Sequence, residues 1–478
     1  MDIRQTVLSE VEVEFISVSE RDEIGKVFSY DNKILRAIYK HKVDYVNQLL
    51  ASGLIDELVS KGMFPKTTVS DYVLDGFGMV LEHEKIQPVV MPPQWSFDML
   101  KDAALLVIEL NQIARKYGYQ TMDCHGYNVI FRKNKPVYVD LGSFIINPPG
   151  FKGWFAYEGF RQFYLYPLII AQTGNWYWAR LVMMQPTPMP HYAYYYLRHP
   201  LSKIFKNHRI EFYFHNFFKF KLLSYFSDAE IEKKIPLPLR KIISPLKKMK
   251  LLPFQNTNLN RLKTTINNLT INNISTEWGD YHNQLKGPDG FIKSTSRFDR
   301  IVEITKELSI ETALELGGNQ GVFSQILVEK AKVKTIICTD YDEAAVNIMY
   351  NMLKKTEYDI APALLNFVMP FENKIGRSVY SRFKSDAVFA LALSHHLLLT
   401  QKMPIKVLFE ELIKYSKKYV FVEFMPLGLY NPKSKNKYIV PDWYSIEYFR
   451  DNFMLYFTVL YEEKIDTNRV IFVGEIKA

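Results

Sequence analysis

The sequence predicts an α/β protein: a mostly parallel sheet with helices on both faces in the C-terminal half, preceded by a separate α+β region. Three observations predict it. From about Phe298 onward, apolar runs alternate between helical and strand periodicity, as in strands joined by crossover helices. Residues 312–325, TALELGGNQGVFSQ, set a glycine turn between an apolar strand and an apolar helix. Residues 1–150 instead mix short strands and helices, with hairpin patterns at Val27–Tyr30/Ile34–Ile38 and around Lys133-Asn134-Lys135.

Composition narrows the class. A chain of 478 residues predicts two to three domains at roughly 100–200 residues each. Cys124 and Cys338 are the only 2 cysteines, which excludes a disulfide framework or a Cys-rich zinc site and points to a reducing compartment. The charged N-terminus does not read as a secretory signal, so a cytoplasmic protein is expected. The apolar stretch Phe163–Met184 is broken by Pro167, Gly174, Asn175 and Arg180 and does not read as a membrane span.

In the N-terminal region, Ser96–Tyr117 reads as one long amphipathic helix. Residues 121–145, TMDCHGYNVIFRKNKPVYVDLGSFI, follow it. The hairpin in this segment brings Asp123, Asn128 and Asp140 around one point. There Asp123 can take a proton from a hydroxyl, while Asn128 and Asp140 can bind Mg²⁺ on a nucleotide phosphate. D-x-H-x-x-N followed by D-x-G resembles the catalytic loop and metal-binding segment of protein-kinase-like and aminoglycoside-phosphotransferase-like enzymes. The resemblance implies an ATP–Mg²⁺ site with Arg36 at the position of the nucleotide-clamping lysine. Two departures favour a scaffold over an active kinase: residues 1–30 contain only Gly25, and Arg36 presents a wide fork rather than a point charge. Two carboxylates and an amide at one point need an offsetting group. The cluster is therefore expected to hold something polar, Mg²⁺ with a nucleotide or the acceptor substrate itself.

Between Leu201 and Lys250 there are 12 Lys/Arg and 4 Asp/Glu, a net +8 out of +9 for the chain. With its many phenylalanines, this stretch fits either a helical subdomain with a solvated basic face or a contact with an anionic membrane surface or acidic ligand. No reader motif accompanies the charge, so nucleic acid is not expected. Asn256–Thr276 is rich in Asn and Thr and reads as a hinge or exposed helix. The expected organisation is a domain over 1–250 (small lobe about 1–90, helical lobe about 91–250), a linker over 251–290 and a second domain over 291–478.

In that second domain, Thr312–Leu316 is followed by Gly317, Gly318 and Gly321. The next apolar run ends in Asp340, 19 residues after Gly321 and able to accept hydrogen bonds from both hydroxyls of a ribose. A dinucleotide or S-adenosylmethionine both suit this arrangement. The spacing E-x-G-x-N-x-G, from Glu315 through Asn319 to Gly321, resembles motif I of class I S-adenosylmethionine-dependent methyltransferases. SDAVFALALSHHL (385–397) and YVFVEFMP (419–426) are similar to the fourth and fifth strands of those enzymes. MLYFTVLYEE and NRVIFVGEI resemble their closing antiparallel pair. The resemblance covers roughly residues 278–478 and implies a seven-stranded, mostly parallel Rossmann-like sheet. It places Glu315, Gly317, Gly318, Asn319, Gly321, Tyr341 and Ser394 around the cofactor, Asp340 on the ribose and Asn366 near the adenine.

Methyl transfer to an alcohol also needs a base. His395 and His396, after the fourth strand, and Glu423, at the end of the fifth, lie at the carboxyl edge where such sites form. Residues 82–106 and 160–168, with YNVIF and PVYVDLGSF between them, resemble a family of fused methyltransferases that includes NoeA-like nodulation proteins and polysaccharide-associated methyltransferases. This resemblance implies methylation of a sugar, glycan or related small metabolite, beside a kinase-like domain without catalysis. The alternatives are a bifunctional kinase–methyltransferase and an N-terminal membrane- or substrate-docking module.

Overall fold

The computed structural model describes residues 6–16, 22–174, 176–184, 258–271, 295–371, 377–430 and 439–477, with Met189 and Tyr194. The basic 201–250 stretch lies outside the described residues. Among the described residues, no helix is long and apolar enough to cross a membrane.

The C-terminal half carries a seven-stranded sheet. Its spatial order is Ile360–Leu364, Thr335–Asp340, Thr312–Leu316, Ser385–Ala390, Ser416–Phe424, Arg469–Ile476, Phe457–Asp466. The first five strands are parallel, and the last two pair antiparallel. Burial on both faces explains why the central strands read as continuous apolar runs. Ala313, Ile336, Phe389 and Phe421 face a core with Phe298 and Phe323. Leu314, Ile337, Val388 and Val420 face a larger core shared with the N-terminal half. The closing strand starts at Phe457 rather than Met454, because Met454–Tyr456 complete the helix Ile446–Tyr456.

The N-terminal half holds a five-stranded antiparallel sheet in the order Glu14–Phe15, Gly25–Tyr30, Lys33–Ile38, Met79–His83, Thr67–Val69. Its central hairpin turns on Asp31 and Asn32, and the hairpin Val129–Arg132/Lys135–Tyr138 turns on Lys133 and Asn134. All four have positive φ, which two-residue hairpin turns demand and Asn and Asp tolerate well.

The helix Phe97–Lys116 joins the halves. Its first backbone N–H groups, of Phe97 and Asp98, donate to Glu343 Oε1 (3.0 Å) and Asn347 Oδ1 (2.8 Å) of the helix Glu343–Leu353. An acid there suits the positive end of the helix dipole. In return, Asp102 Oδ2 accepts from Tyr350 Oη and Lys354 Nζ, each at 2.8 Å. Asn134 Nδ2 donates to Ile360 O at 3.0 Å, covering part of the edge strand. The segment expected as a hinge or exposed helix forms the helix Leu259–Asn267, which buries Leu259, Leu262 and Ile266. It packs on Phe97–Lys116, where Lys101 Nζ holds Asn267 O and Leu269 O. Its three apolar residues are too few to dominate composition, yet their spacing places them on one face.

Candidate functional site

Because the five parallel strands run the same way, the glycine turn, Asp340, Asn366 and the His395-His396 segment all fall at one carboxyl edge. Gly317, Asn319 and Gly321 have φ of +67°, +52° and +73°. The turn packs against its own sheet. A Cβ at Gly318 would come within 2.4 Å of Cys338 Sγ and 2.9 Å of Glu315 Cδ, and one at Gly321 within 2.7 Å of Met349 Sδ. At Gly318 and Gly321 a side chain would therefore meet the protein's own atoms, so glycine is required there for the turn to pack on its sheet.

Asp340 ties the turn to the second strand. Its Oδ2 accepts from Asn319 N and its Oδ1 from Asp342 N, both at 2.8 Å. Burial raises its pKa, and these N–H groups oppose the rise. Each oxygen retains a lone pair for a further donor. Glu315 lies beneath the turn, accepting from Ser324 Oγ at 2.5 Å, and burial pushes its pKa up to about 7. It supports the turn rather than facing out. Beside Asp340, Tyr341 is 66% exposed and carries the Arg180 guanidinium 5.6 Å from its ring centroid. Arg180 itself pairs with Glu343 at 2.5 Å. Asn366 is exposed at the end of the neighbouring strand, its Oδ1 accepting from Met369 N at 3.2 Å.

Glu423 departs from expectation. It is fully buried, and both oxygens already accept: Oε1 from Arg297 Nε (2.5 Å), and Oε2 from Arg297 (2.7 Å), Arg469 (2.9 Å) and Ala392 N (2.8 Å). A carboxylate so saturated cannot serve as the base; it anchors the turn that carries the histidines. Ser394, expected at the cofactor, donates instead to Glu423 O at 2.5 Å and is buried. His395 is 5% exposed with its Nδ1 unpartnered, and burial, aided by His396 and Arg469, pushes its pKa down to about 3. It is neutral and weakly basic at physiological pH. His396 is only partly buried, its ring 4.1 Å from that of His395. Arg297 and Arg469 were not flagged by any motif, since only long-range pairing reveals them.

The second constellation also assembles. Asn128 Nδ2 donates to Asp140 Oδ2 (3.2 Å), Gly142 N donates to Asp140 Oδ1 (3.0 Å), and Arg36 lies 3.9 Å from Asp140 Oδ1. Asp123 is exposed beside them, accepting from His125 N at 2.8 Å. Burial pushes the Asp140 pKa up to about 6; Arg36 opposes this, while Asp22 and Asp123 add to it. Asp22, an ion-pair partner of Arg36, had no spacing signal in the sequence. Among the described residues, no three His, Cys, Asp or Glu side chains are placed to hold a metal ion. Mg²⁺ on Asn128 and Asp140 would therefore need oxygens from a ligand.

These residues line a cleft of about 1400 Å³ whose far wall includes Thr312, Thr335, Ser385 and Lys417. Those four sit at the amino ends of their strands or, for Lys417, one residue in. The cleft and the glycine turn thus lie at opposite edges of the same sheet. Strands of five or six residues separate them by roughly 17–20 Å. This corrects the expectation that the N-terminal cluster can hold the methyl acceptor: a group there cannot reach the carboxyl edge.

No family model matches the chain. The nodulation protein NoeA of Rhizobium meliloti (strain 1021) is 23% identical over 430 residues, covering 86% of this chain and 85% of that protein. Solved structures similar to part of the chain include an S-adenosylmethionine-dependent methyltransferase from Aquifex aeolicus (14% identity, TM-score 0.31, 42% of this chain and 98% of that one). The N-terminal domain of EvdMO1 with S-adenosylhomocysteine bound is another (13%, TM-score 0.28, 40% and 85%). So is the methyltransferase domain of bacterial CtHen1-C (13%, TM-score 0.30, 38% and 98%). At these identities and TM-scores the likeness carries no functional weight.

Proposed function

We propose that the chain is an S-adenosylmethionine-dependent methyltransferase whose site is the carboxyl edge of the seven-stranded sheet. One observation carries the reading. The strand order, with adjacent strands ending in the glycine turn and in Asp340, puts a carboxylate with free lone pairs beside a backbone turn that borders the topological switch point between Thr312–Leu316 and Ser385–Ala390. The residues fit the cofactor: Asp340 can take ribose hydroxyls, with Tyr341 and Asn366 rimming the adenine side. When bound, the cofactor supplies a methyl group on a sulfonium. The protein's part is alignment and, for a hydroxyl acceptor, proton removal. His396 takes that role, since burial leaves His395 too weakly basic and Glu423 is saturated. Arg297, Arg469 and Glu423 fix the turn on which both histidines sit.

We assign the acceptor to sugars, glycans or related small metabolites, on the resemblance of 82–106 and 160–168 to NoeA-like and polysaccharide-associated methyltransferases. Incubating the chain with methyl-labelled cofactor and fractionated cell extract tests this. Label in a carbohydrate fraction supports the assignment, and label only in protein or nucleic acid overturns it. The N-terminal half we read as kinase-like, supported by the five-stranded sheet over the Asp123–Asn128–Asp140 cluster. The bifunctional alternative is constrained by the opposed edges: an acceptor phosphorylated in the cleft must leave it before methylation. A cytoplasmic location and peripheral membrane contact through 201–250 belong to the same proposal; co-sedimentation with anionic but not neutral vesicles tests the contact.

A further inference from the structure

Arg180 is the one basic residue of the helix Trp176–Met184, WYWARLVMM. A charge set among apolar neighbours is costly unless it is paired. The helix belongs to the N-terminal half. It packs on Tyr166–Gln172 and on Pro92–Gln94, and Trp176 meets the Phe97 ring edge-on with centroids 5.4 Å apart. That placement carries Arg180 across to the C-terminal sheet, where its Nη2 donates to Glu343 Oε2 at 2.5 Å. The two side chains are 19% and 11% exposed, so the pair is largely shielded from solvent.

Glu343 is fixed from a second side, since its Oε1 accepts Phe97 N at 3.0 Å. It opens the helix Glu343–Leu353, just past the end of the strand Thr335–Asp340. Arg180 is thus pinned beside the end of that strand, and its guanidinium lies 5.6 Å from the Tyr341 ring centroid, within cation–π range. Most of the ring stays open, for Tyr341 is 66% exposed. The backbone N–H of Tyr341 also bonds the Asp340 carboxylate. An exposed tyrosine samples several rotamers, and ordering it when a ligand binds costs free energy. A cation fixed against the ring removes part of that cost beforehand.

We propose that Arg180 is a positioning residue of the cofactor site: locked by Glu343, it holds the Tyr341 ring as a wall for the adenine, so that the N-terminal half completes a site built on the C-terminal sheet. The proposal rests on the methyltransferase reading, in which Asp340 takes the ribose. Adenine adjoins the ribose and presents a flat face, which an aromatic ring one residue beyond Asp340 can meet. Arg180 acts through Tyr341 and not on the ligand itself. It lies outside residues 278–478, so the C-terminal domain cut out at those bounds would keep Asp340 and lose the group that steadies its neighbour.

Calorimetric titration of the intact chain with S-adenosylhomocysteine tests this as a double-mutant cycle on Arg180 and Tyr341. Arg180→Gln keeps an N–H for the Glu343 carboxylate while taking the cation off the ring. It is expected to weaken binding about threefold to tenfold, the worth of a cation against an aromatic face. In a chain that also carries Tyr341→Ala, the same substitution should change affinity by less than about twofold, because the ring it acts on is gone. Arg180→Lys, which keeps a cation for both Glu343 and the ring, should stay within about twofold of the wild type. An equal loss from Arg180→Gln with and without the Tyr341 ring, or no loss in either, overturns the positioning role while leaving the methyltransferase reading standing. So does a loss in Arg180→Lys as large as that in Arg180→Gln. No binding by any form, the wild type included, overturns the methyltransferase reading and this proposal with it.

Discussion

The two edges of the C-terminal sheet use acids in opposite ways. At the carboxyl edge, Asp340 accepts two backbone N–H groups and Glu423 two guanidiniums and another N–H, so each charge is matched by a donor within the fold. In the cleft at the amino edge, Asp22 and Asp140 share a single Arg36 whose Nε has no partner, and Asp123 adds its charge to that felt by Asp140. The first is matched within the fold itself. The second is left short of positive charge. A matched site can hold a neutral or weakly charged group; an unmatched one holds its shape at a cost that a ligand removes.

Variants on either side sharpen this contrast. The largest expected effect is at His396: His396→Ala should lower turnover on a hydroxyl acceptor about 10²–10⁴-fold with S-adenosylhomocysteine affinity nearly intact. His395→Ala should act less on turnover and more on stability. Equal kinetic losses in the two would break the assignment of the base. Next is Glu423→Ala, which strands Arg297, Arg469 and Ala392 N. A loss of about 3–5 kcal/mol in urea unfolding is expected, and a loss below about 1 kcal/mol, the range of an exposed pair, would show that the carboxylate is not the anchor of its turn.

The smallest effect is expected in the cleft, and its sign is opposite. The folded pKa of Asp140, about 6, lies above the ordinary 3.8. Its contribution is therefore fully present below the unfolded value and is lost as pH rises through about 6. Asp140→Asn should raise the unfolding midpoint at pH 7.5 and change it little at pH 4. The same shift at both would mean that the cleft carries no unmatched charge.

Much of the sheet was legible because its signals are local. Thr312–Leu316 runs straight into the glycine turn and Asp340 follows one helix and one strand later, and the Asp123–Asn128–Asp140 spacing is fixed by one hairpin. What escaped the sequence was pairing at a distance. Glu423 looked like a free acid at a strand end, since Arg297 and Arg469 stand 126 and 46 residues away. Asp22 carries no spacing signal, and its pairing with Arg36 appears only in the fold. The helix Leu259–Asn267 was masked by a polar composition in which three apolar residues do the packing. The opposition of the two sites could not be read from order along the chain, because it depends on which end of the sheet each half meets.

The central claim is that the glycine turn and Asp340 hold S-adenosylmethionine. Calorimetric titration of the intact chain with S-adenosylhomocysteine, beside Asp340→Ala, tests it most directly. Saturable binding by the wild type and a loss of about 1.5–3 kcal/mol in the variant, the worth of hydrogen bonds to a charged acceptor, are expected. Absence of binding by the folded wild type, or equal affinity in the variant, would contradict it.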